Sequence, residues 1–398
     1  MIGGHLKHEI ISTFYFERTL SVVELSNKLE KSVPHVTKAV NELIETGLIA
    51  EGGHAPSSGG RKPLMYSLKT GTLYIVAVAM DQLYFKIAIT DVLNNPVLPI
   101  ESHELKLLNN NDALPELVNI INDYIKRSGV DKKKIIGIGI GTPGFTNNKL
   151  GVNYSYLQPP DDESLLNYLE RVLELPVSID NDSSLIALAE LKFGLAKSKE
   201  EVMVINIGWG IGLGMIVNGV LFRGYTGYAG ELSHIPISES DILCDCGKRG
   251  CLETEGTLKV VTDKAMKGIR QGNVSGLQLD ESPEKMSEAI MVAANKGDQY
   301  AIELLSDMGY KIGKAIAILI HIVNPELVVL SGRGAAVGKI LMAPIQQALN
   351  KYCIPRLSEH TDVKVSTIGR KAELIGAAAL VMENFGKASK QLSAARVN

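Results

Sequence analysis

The chain has 398 residues, enough for two or three domains, each with its own core. Its 41 basic and 44 acidic residues leave a net charge of -3, so composition gives no global attraction to nucleic acid and any DNA contact must come from a local patch. The polar start, Met1-Ile2-Gly3-Gly4-His5-Leu6-Lys7-His8-Glu9, does not read as a signal peptide. The longest apolar run, Ala315 to Val323, contains His321 and is too short to span a membrane; a cytoplasmic protein with reduced thiols is expected.

From Ser21 the sequence predicts two short helices. Ser21 with Glu24 three residues on reads as an N-cap, and Ser32-Val33-Pro34 opens a second helix running to Thr46-Gly47. Leu25, Leu29, Val33, Val36, Val40, Leu43 and Ile44 fall at helical spacing and predict a buried face, leaving Pro34, His35, Thr37, Lys38 and Asn41 outward. A strand from Gly47, a small polar loop carrying Arg61 and Lys62, and a return strand at Leu64 to Leu68 complete a winged helix-turn-helix over 1–70. A protein-interaction module would bury the same face. DNA explains more: Thr37, Lys38 and Asn41 can enter a major groove, and an arginine on a wing fits a narrow minor groove.

After Gly71 apolar and Gly-rich runs alternate with helical stretches, an α/β pattern. Strands at Thr72 to Met80, Leu83 to Thr90 and Val97 to Ile100 recur about 125 residues later as Glu201 to Ile207, Leu213 to Val217 and Val220 to Phe222. Each set is followed by helices and another apolar strand, Ile135 to Ile140 and Leu327 to Leu330. Two related lobes are predicted, 71–193 and 194–372, the first completed by a C-terminal helix at about 373–398, with a ligand in the cleft between them.

His234, Cys244, Cys246 and Cys251 gather three of the four cysteines and one histidine in a short span. Thiolates and an imidazole at this spacing form a closed tetrahedral zinc set, structural because no position is left for a water nucleophile. Disulfides are the rival reading. Cys353 stands far off and is not expected to bind metal.

The duplicated lobes, Gly230-Glu231-Leu232-Ser233-His234, the Cys-x-Cys-x4-Cys run and the leading winged helix resemble the ROK family of bacterial repressors and sugar kinases, of the NagC, Mlc and xylose-repressor type. The resemblance covers nearly the whole chain. It implies an actin-like, ribonuclease-H-like sugar-kinase fold, one structural zinc per chain, a monosaccharide or sugar phosphate as effector, and a homodimer or homotetramer. By the same resemblance, Asn181 and Asp182 bind sugar hydroxyls, with Asp182 at the position of the kinase general base, and Glu231, His234 and Glu253 complete the sugar site. These residue types suit sugar binding, since carboxylates accept from hydroxyls and an amide both donates and accepts. His234 can ligate metal through one ring nitrogen while the other faces a hydroxyl.

Kinases of the family open with Asp-x-Gly-Gly-Thr, whose backbone amides approach ATP phosphates. This chain has Asp81-Gln82-Leu83-Tyr84-Phe85 there, so bulky side chains are expected to fill the phosphate loop, and Trp209 replaces the threonine of the second lobe's loop, where a side chain of that size would obstruct a phosphate. The expectation is therefore a non-enzymatic, sugar-responsive repressor that binds operator DNA and lets go when sugar binds. The alternatives are a sugar kinase with an added DNA-binding domain, or a regulator controlled by a protein partner.

Overall fold

The computed structural model describes residues 4–54, 63–280 and 282–386. Its first helix, α1 (His5–Glu17), lies ahead of the helices expected from the sequence, and buries Ile10, Ile11, Phe14 and Tyr15. Strand β1 (Thr19–Ser21) follows. Ser21 then starts α2 (Val22–Leu29) with the expected capping box: its hydroxyl accepts from the Glu24 N–H, and the Glu24 carboxylate accepts from the Ser21 N–H at 2.8 Å. Helix α3 (Val33–Glu45) buries Val36, Ala39, Val40 and Leu43. Val33, expected on that face, is 42% exposed, because it is the first helical residue and precedes the turn that meets the core. Strands β2 (Ile49–His54) and β3 (Leu64–Leu68) form the expected hairpin, Ile49 opposite Leu68, and β1 adds a third strand beside β3. Arg61 and Lys62 lie outside the described residues.

The chain then builds β4 (Tyr74–Met80), β5 (Tyr84–Asp91), β6 (Glu101–Glu104), α4 (Ala113–Ser128), β7 (Ile135–Thr142), the short pair β8 (Thr146–Asn147) and β9 (Val152–Asn153), α5 (Leu165–Leu173) and β10 (Val177–Asn181). The sheet order is β10-β7-β4-β5-β6, with β4 antiparallel to β5 and parallel to β7. The third strand is not Val97 to Ile100 as the sequence suggests. Pro96 just before that stretch and Pro99 within it have no N–H to donate to a ladder, so beyond the Val97 N–H, which donates to the Ile89 carbonyl at 2.8 Å, regular pairing starts only at Glu101, opposite Ile87.

Next come α6 (Asp182–Phe193), β11 (Val202–Ile207), β12 (Ile211–Val217), β13 (Val220–Phe222), α7 (Leu258–Arg270), α8 (Pro283–Asn295), α9 (Gln299–Val323), β14 (Leu327–Ser331), α10 (Gly338–Tyr352), α11 (Pro355–Ser358), β15 (Asp362–Val365) and α12 (Ala372–Asn384). Their sheet runs β13-β12-β11-β14-β15, again an antiparallel hairpin followed by a parallel neighbour, β11 beside β14. Both sheets thus share one plan, the first-formed strand at the centre, which is the duplication read from the sequence. The fold is α/β and actin-like, as expected.

Two compact units result: one takes the chain up to Asp180 together with the residues from Ala377 on, the other Asn181–Gly376. Helix α6, which the sequence assigned with the first lobe, belongs to the second. The reason is close packing: Gly212 and Gly214 of β12 bear no side chain, and Ser183 and Ala187 of α6 occupy the space, so a Cβ on Gly214 would lie 2.3 Å from Ala187 Cβ. In the first unit Gly139 of β7 does the same for α12, where a Cβ would sit 2.0 Å from the Ala377 carbonyl. No helix among the described residues is long and apolar enough to cross a membrane.

Candidate functional site

All five residues expected to bind sugar fall in the second unit. Strand β12 is the common platform, and three segments converge on its first residues. Asn181 caps α6, its side-chain oxygen accepting from the Ser183 and Ser184 N–H groups at 3.0 and 3.2 Å. Asp182 follows in the first turn, held by the Asn206 amide, which donates to its Oδ2 at 3.1 Å and to the Ser183 hydroxyl at 3.1 Å. Asn206 sits on β11 directly opposite Gly212 of β12. On the same strand the Ile211 N–H donates to the Glu253 carboxylate at 3.3 Å, and Gly210 leaves room for that carboxylate, 2.9 Å from where a Cβ would stand. Gly230, with φ of 99°, passes so close to Leu213 that a Cβ would be 2.4 Å from its carbonyl, which delivers Glu231 to the same strand.

The electrostatics mark this as an acidic recess. Burial, reinforced by the charges of Asp245 and Glu231, pushes the Glu253 carboxyl up to about 7, against the pull of the Ile211 N–H and Lys259. Glu231 keeps solvent access, yet the protein packed around its carboxyl raises it above the ordinary glutamate range. Burial lowers His234. Asn206 is the residue the sequence reading missed; its signal was a lone amide in an otherwise apolar strand, Val-Met-Val-Ile-Asn-Ile.

The cysteine loop hangs from the same region. His234 ends a short turn after Glu231, and its Nδ1 lies 3.6 Å from Cys244 Sγ; Cys246 Sγ and Cys251 Sγ are also 3.6 Å apart. The four donor atoms lie within 4.8 Å of one another and the cysteines are free thiols, so the expected set could hold a metal ion. Gly247, with φ of 83°, makes the tight turn between Cys244 and Lys248, where the Cys244 N–H donates to the Lys248 carbonyl at 2.8 Å. Helix α9 anchors the loop: Lys314 donates to the Ile237 carbonyl at 2.6 Å and Lys311 pairs with Glu255 at 2.9 Å. Cys353 is buried at the end of α10, apart from this set.

The turn expected to be filled by bulk is closed differently. The Asp81 carboxylate accepts from the Leu83 and Tyr84 N–H groups, both at 2.8 Å, so those amides are turned onto the chain's own side chain. Phe85 does not fill the turn; it is buried and stacks on His103, ring centroids 5.3 Å apart. Trp209 is buried, and its carbonyl accepts from the Lys259 N–H at 3.2 Å. The stretch Gly141 to Phe145 leads into a buried polar knot in the first unit, where the Asn153 amide donates to Thr142, Pro143 and Thr146. On α3, Pro34, His35, Lys38 and Asn41 are exposed, while Thr37 is half-buried with its hydroxyl donating to the Val33 carbonyl at 2.8 Å.

A ROK family profile matches residues 99–384, and the chain belongs to the ROK family. The xylose repressor of Caldicellulosiruptor bescii is 26% identical, over 94% of this chain and 95% of its own length. The glucokinase of Halalkalibacterium halodurans is 34% identical, over 68% of this chain and 84% of its own. Among solved structures, a ROK family transcriptional regulator that is a homolog of the Escherichia coli Mlc protein superposes with a TM-score of 0.75 at 26% identity, covering 96% of this chain and 97% of its own.

Proposed function

We infer that this chain is a sugar-responsive transcriptional repressor. The observation that carries the reading is a likeness to a ROK transcriptional regulator over 96% of the chain, including the helices and hairpin that precede the sensor. In this reading Pro34, His35, Lys38 and Asn41, exposed on α3, meet DNA together with Thr37 and the wing residues Arg61 and Lys62. Asn181, Asp182, Glu231, His234 and Glu253 take a monosaccharide or sugar phosphate. Operator half-sites call for a homodimer or homotetramer, and work on DNA places the chain in the cytoplasm. A docking protein remains a further partner class.

The ion is zinc. Bonds of about 2.3 Å to sulfur and 2.0 Å to nitrogen make tetrahedron edges of about 3.6–3.8 Å, which the two 3.6 Å separations support. When bound it supplies no chemistry; His234, Cys244, Cys246 and Cys251 hold the loop that carries Glu253 against Ile211. Phosphoryl transfer is not this chain's activity, because amides that would receive a phosphate already serve Asp81.

Sugar binding shifts the population toward a state in which paired α3 helices no longer fit two half-sites. By reciprocity sugar and DNA weaken each other's binding by one factor, about 5- to 150-fold. The test uses an operator duplex selected from a random pool by the wild-type chain. Adding the effective sugar should release wild type, whereas Asp182→Ala should bind the duplex and stay. Equal release from both would remove this site from the switch.

A further inference from the structure

Asn206 is the one polar side chain in β11, and it is nine-tenths buried where four elements meet. Its neighbour across the hairpin is Gly212 and its parallel neighbour is Ser331 of β14. One side of its amide group is spoken for by Asp182 and Ser183, each 3.1 Å from Nδ2. The other side faces Gly332, whose φ of 74° and missing Cβ leave the space: a Cβ there would stand 2.3 Å from Asn206 Oδ1. An amide clamped on both faces cannot turn over, so its two N–H bonds point one way only.

A buried amide in an apolar strand costs stability unless its bonds are made, and leucine or valine would pack there without that requirement. Placing a double donor at this point has one consequence that packing does not need. It pins Asp182 Oδ2 and the first turn of α6 together, so that the carboxylate meets a hydroxyl in a single orientation while Asn181 is held by its own cap.

We propose that Asn206 is a positioning residue of the sugar site, acting through Asp182 and not by touching the ligand. The proposal rests on the sugar-binding reading of Asp182. It assigns to Asn206 a role in effector affinity, with no role in operator binding or in metal retention.

The experiment measures three quantities on the full chain: sugar affinity, sugar-free operator affinity and bound metal. The probes are D-glucose, D-xylose, N-acetyl-D-glucosamine and the phosphate esters of glucose and N-acetylglucosamine, screened first on wild type by thermal shift. Asn206→Ala should weaken the effective sugar about tenfold to a hundredfold, the worth of one bond to a charged group, and leave the other two quantities unchanged. Ser183→Ala removes the second acceptor together with the long 3.4 Å bond from its hydroxyl to Asp182 Oδ1, and should change sugar affinity less than about threefold, since these bonds are weaker than the one from Asn206 to the carboxylate. If Asn206→Ala does not fold, Asn206→Val, which suits a buried strand position and has no donor, takes its place with the same expected loss. A wild type that binds sugar beside a variant with undiminished affinity overturns the positioning role and leaves the sugar site standing. A parallel fall in all three quantities also overturns it, in favour of a packing role. A wild type that binds none of the probes sinks the sugar-site reading and the proposal together.

Discussion

Gly214→Ala tests whether the docking of α6 on β12 sets the site. The added Cβ would lie 2.3 Å from Ala187 Cβ and 2.7 Å from the Ser183 carbonyl oxygen. Carbon atoms rest at about 3.5–4.0 Å, so the helix must retreat by about 1 Å or more, and a backbone carbonyl cannot swing aside as a side chain could. Overpacking of this kind costs about 1–3 kcal/mol. At about 2–4 °C per kcal/mol for a domain of this size, the melting temperature should fall by roughly 2–12 °C. The retreat carries Asn181 and Asp182 with it, so the thermal shift produced by sugar should shrink more than the operator affinity does. Ala187→Gly in the same chain removes one of the two clashes and should recover part of the loss, making the pair less than additive. The measurement is calorimetry with and without sugar on the three variants. A melting temperature for Gly214→Ala within about a degree of wild type, with the sugar response intact, would refute the reasoning.

Two further outcomes bear on the metal and on catalysis. Elemental analysis should find about one zinc per freshly purified chain, and Cys246→Ser should lower it and open the 238–250 segment to protease, because a site missing one ligand no longer closes the loop; protein prepared without chelator that carries no zinc would refute the assignment. Incubation with ATP and hexoses should give no sugar phosphate; transfer that disappears in Asp182→Asn would favour the kinase reading.

Local chemistry was legible in the sequence wherever one short span decides the outcome. The Ser21 and Glu24 spacing produced its capping box, and the cysteine spacing brought four ligands together. Segments whose fate depends on distant partners were not. Val97 to Ile100 looks like a strand, but Pro96 and Pro99 deny it a ladder. Phe85 shares its strand face with Ile87 and Ile89, which sends it into the core and away from the turn that the sequence had it filling. Helix α6 went to the second unit because of two glycines some thirty residues further on, a contact that no local pattern records. Asn206 could have been suspected from its apolar surroundings, yet its partners became visible only with the fold.

Helix α1 explains why α2 and α3 cannot be treated as a bead on a tether. Within the first unit it touches α3 on one side, through Lys7 and Glu42 at 2.8 Å, and the sheet domain on the other. There the Tyr15 hydroxyl donates to Asn94 at 2.5 Å, Arg18 donates to the Val92 carbonyl at 2.7 Å, and Ser12 donates to the Met382 carbonyl at 3.1 Å at the end of α12. His8 packs edge-on against Phe385, ring centroids 4.8 Å apart. Burial raises the Tyr15 phenol far above its ordinary range, so it stays a donor at any working pH. The orientation of α3 is therefore set by two surfaces, the turn after β5 and the last turn of α12, and not by the linker that follows the wing. Helix α12 itself begins at Ala372, before the Gly376/Ala377 boundary, with Gly376 against Leu185 of α6, three residues beyond Asp182.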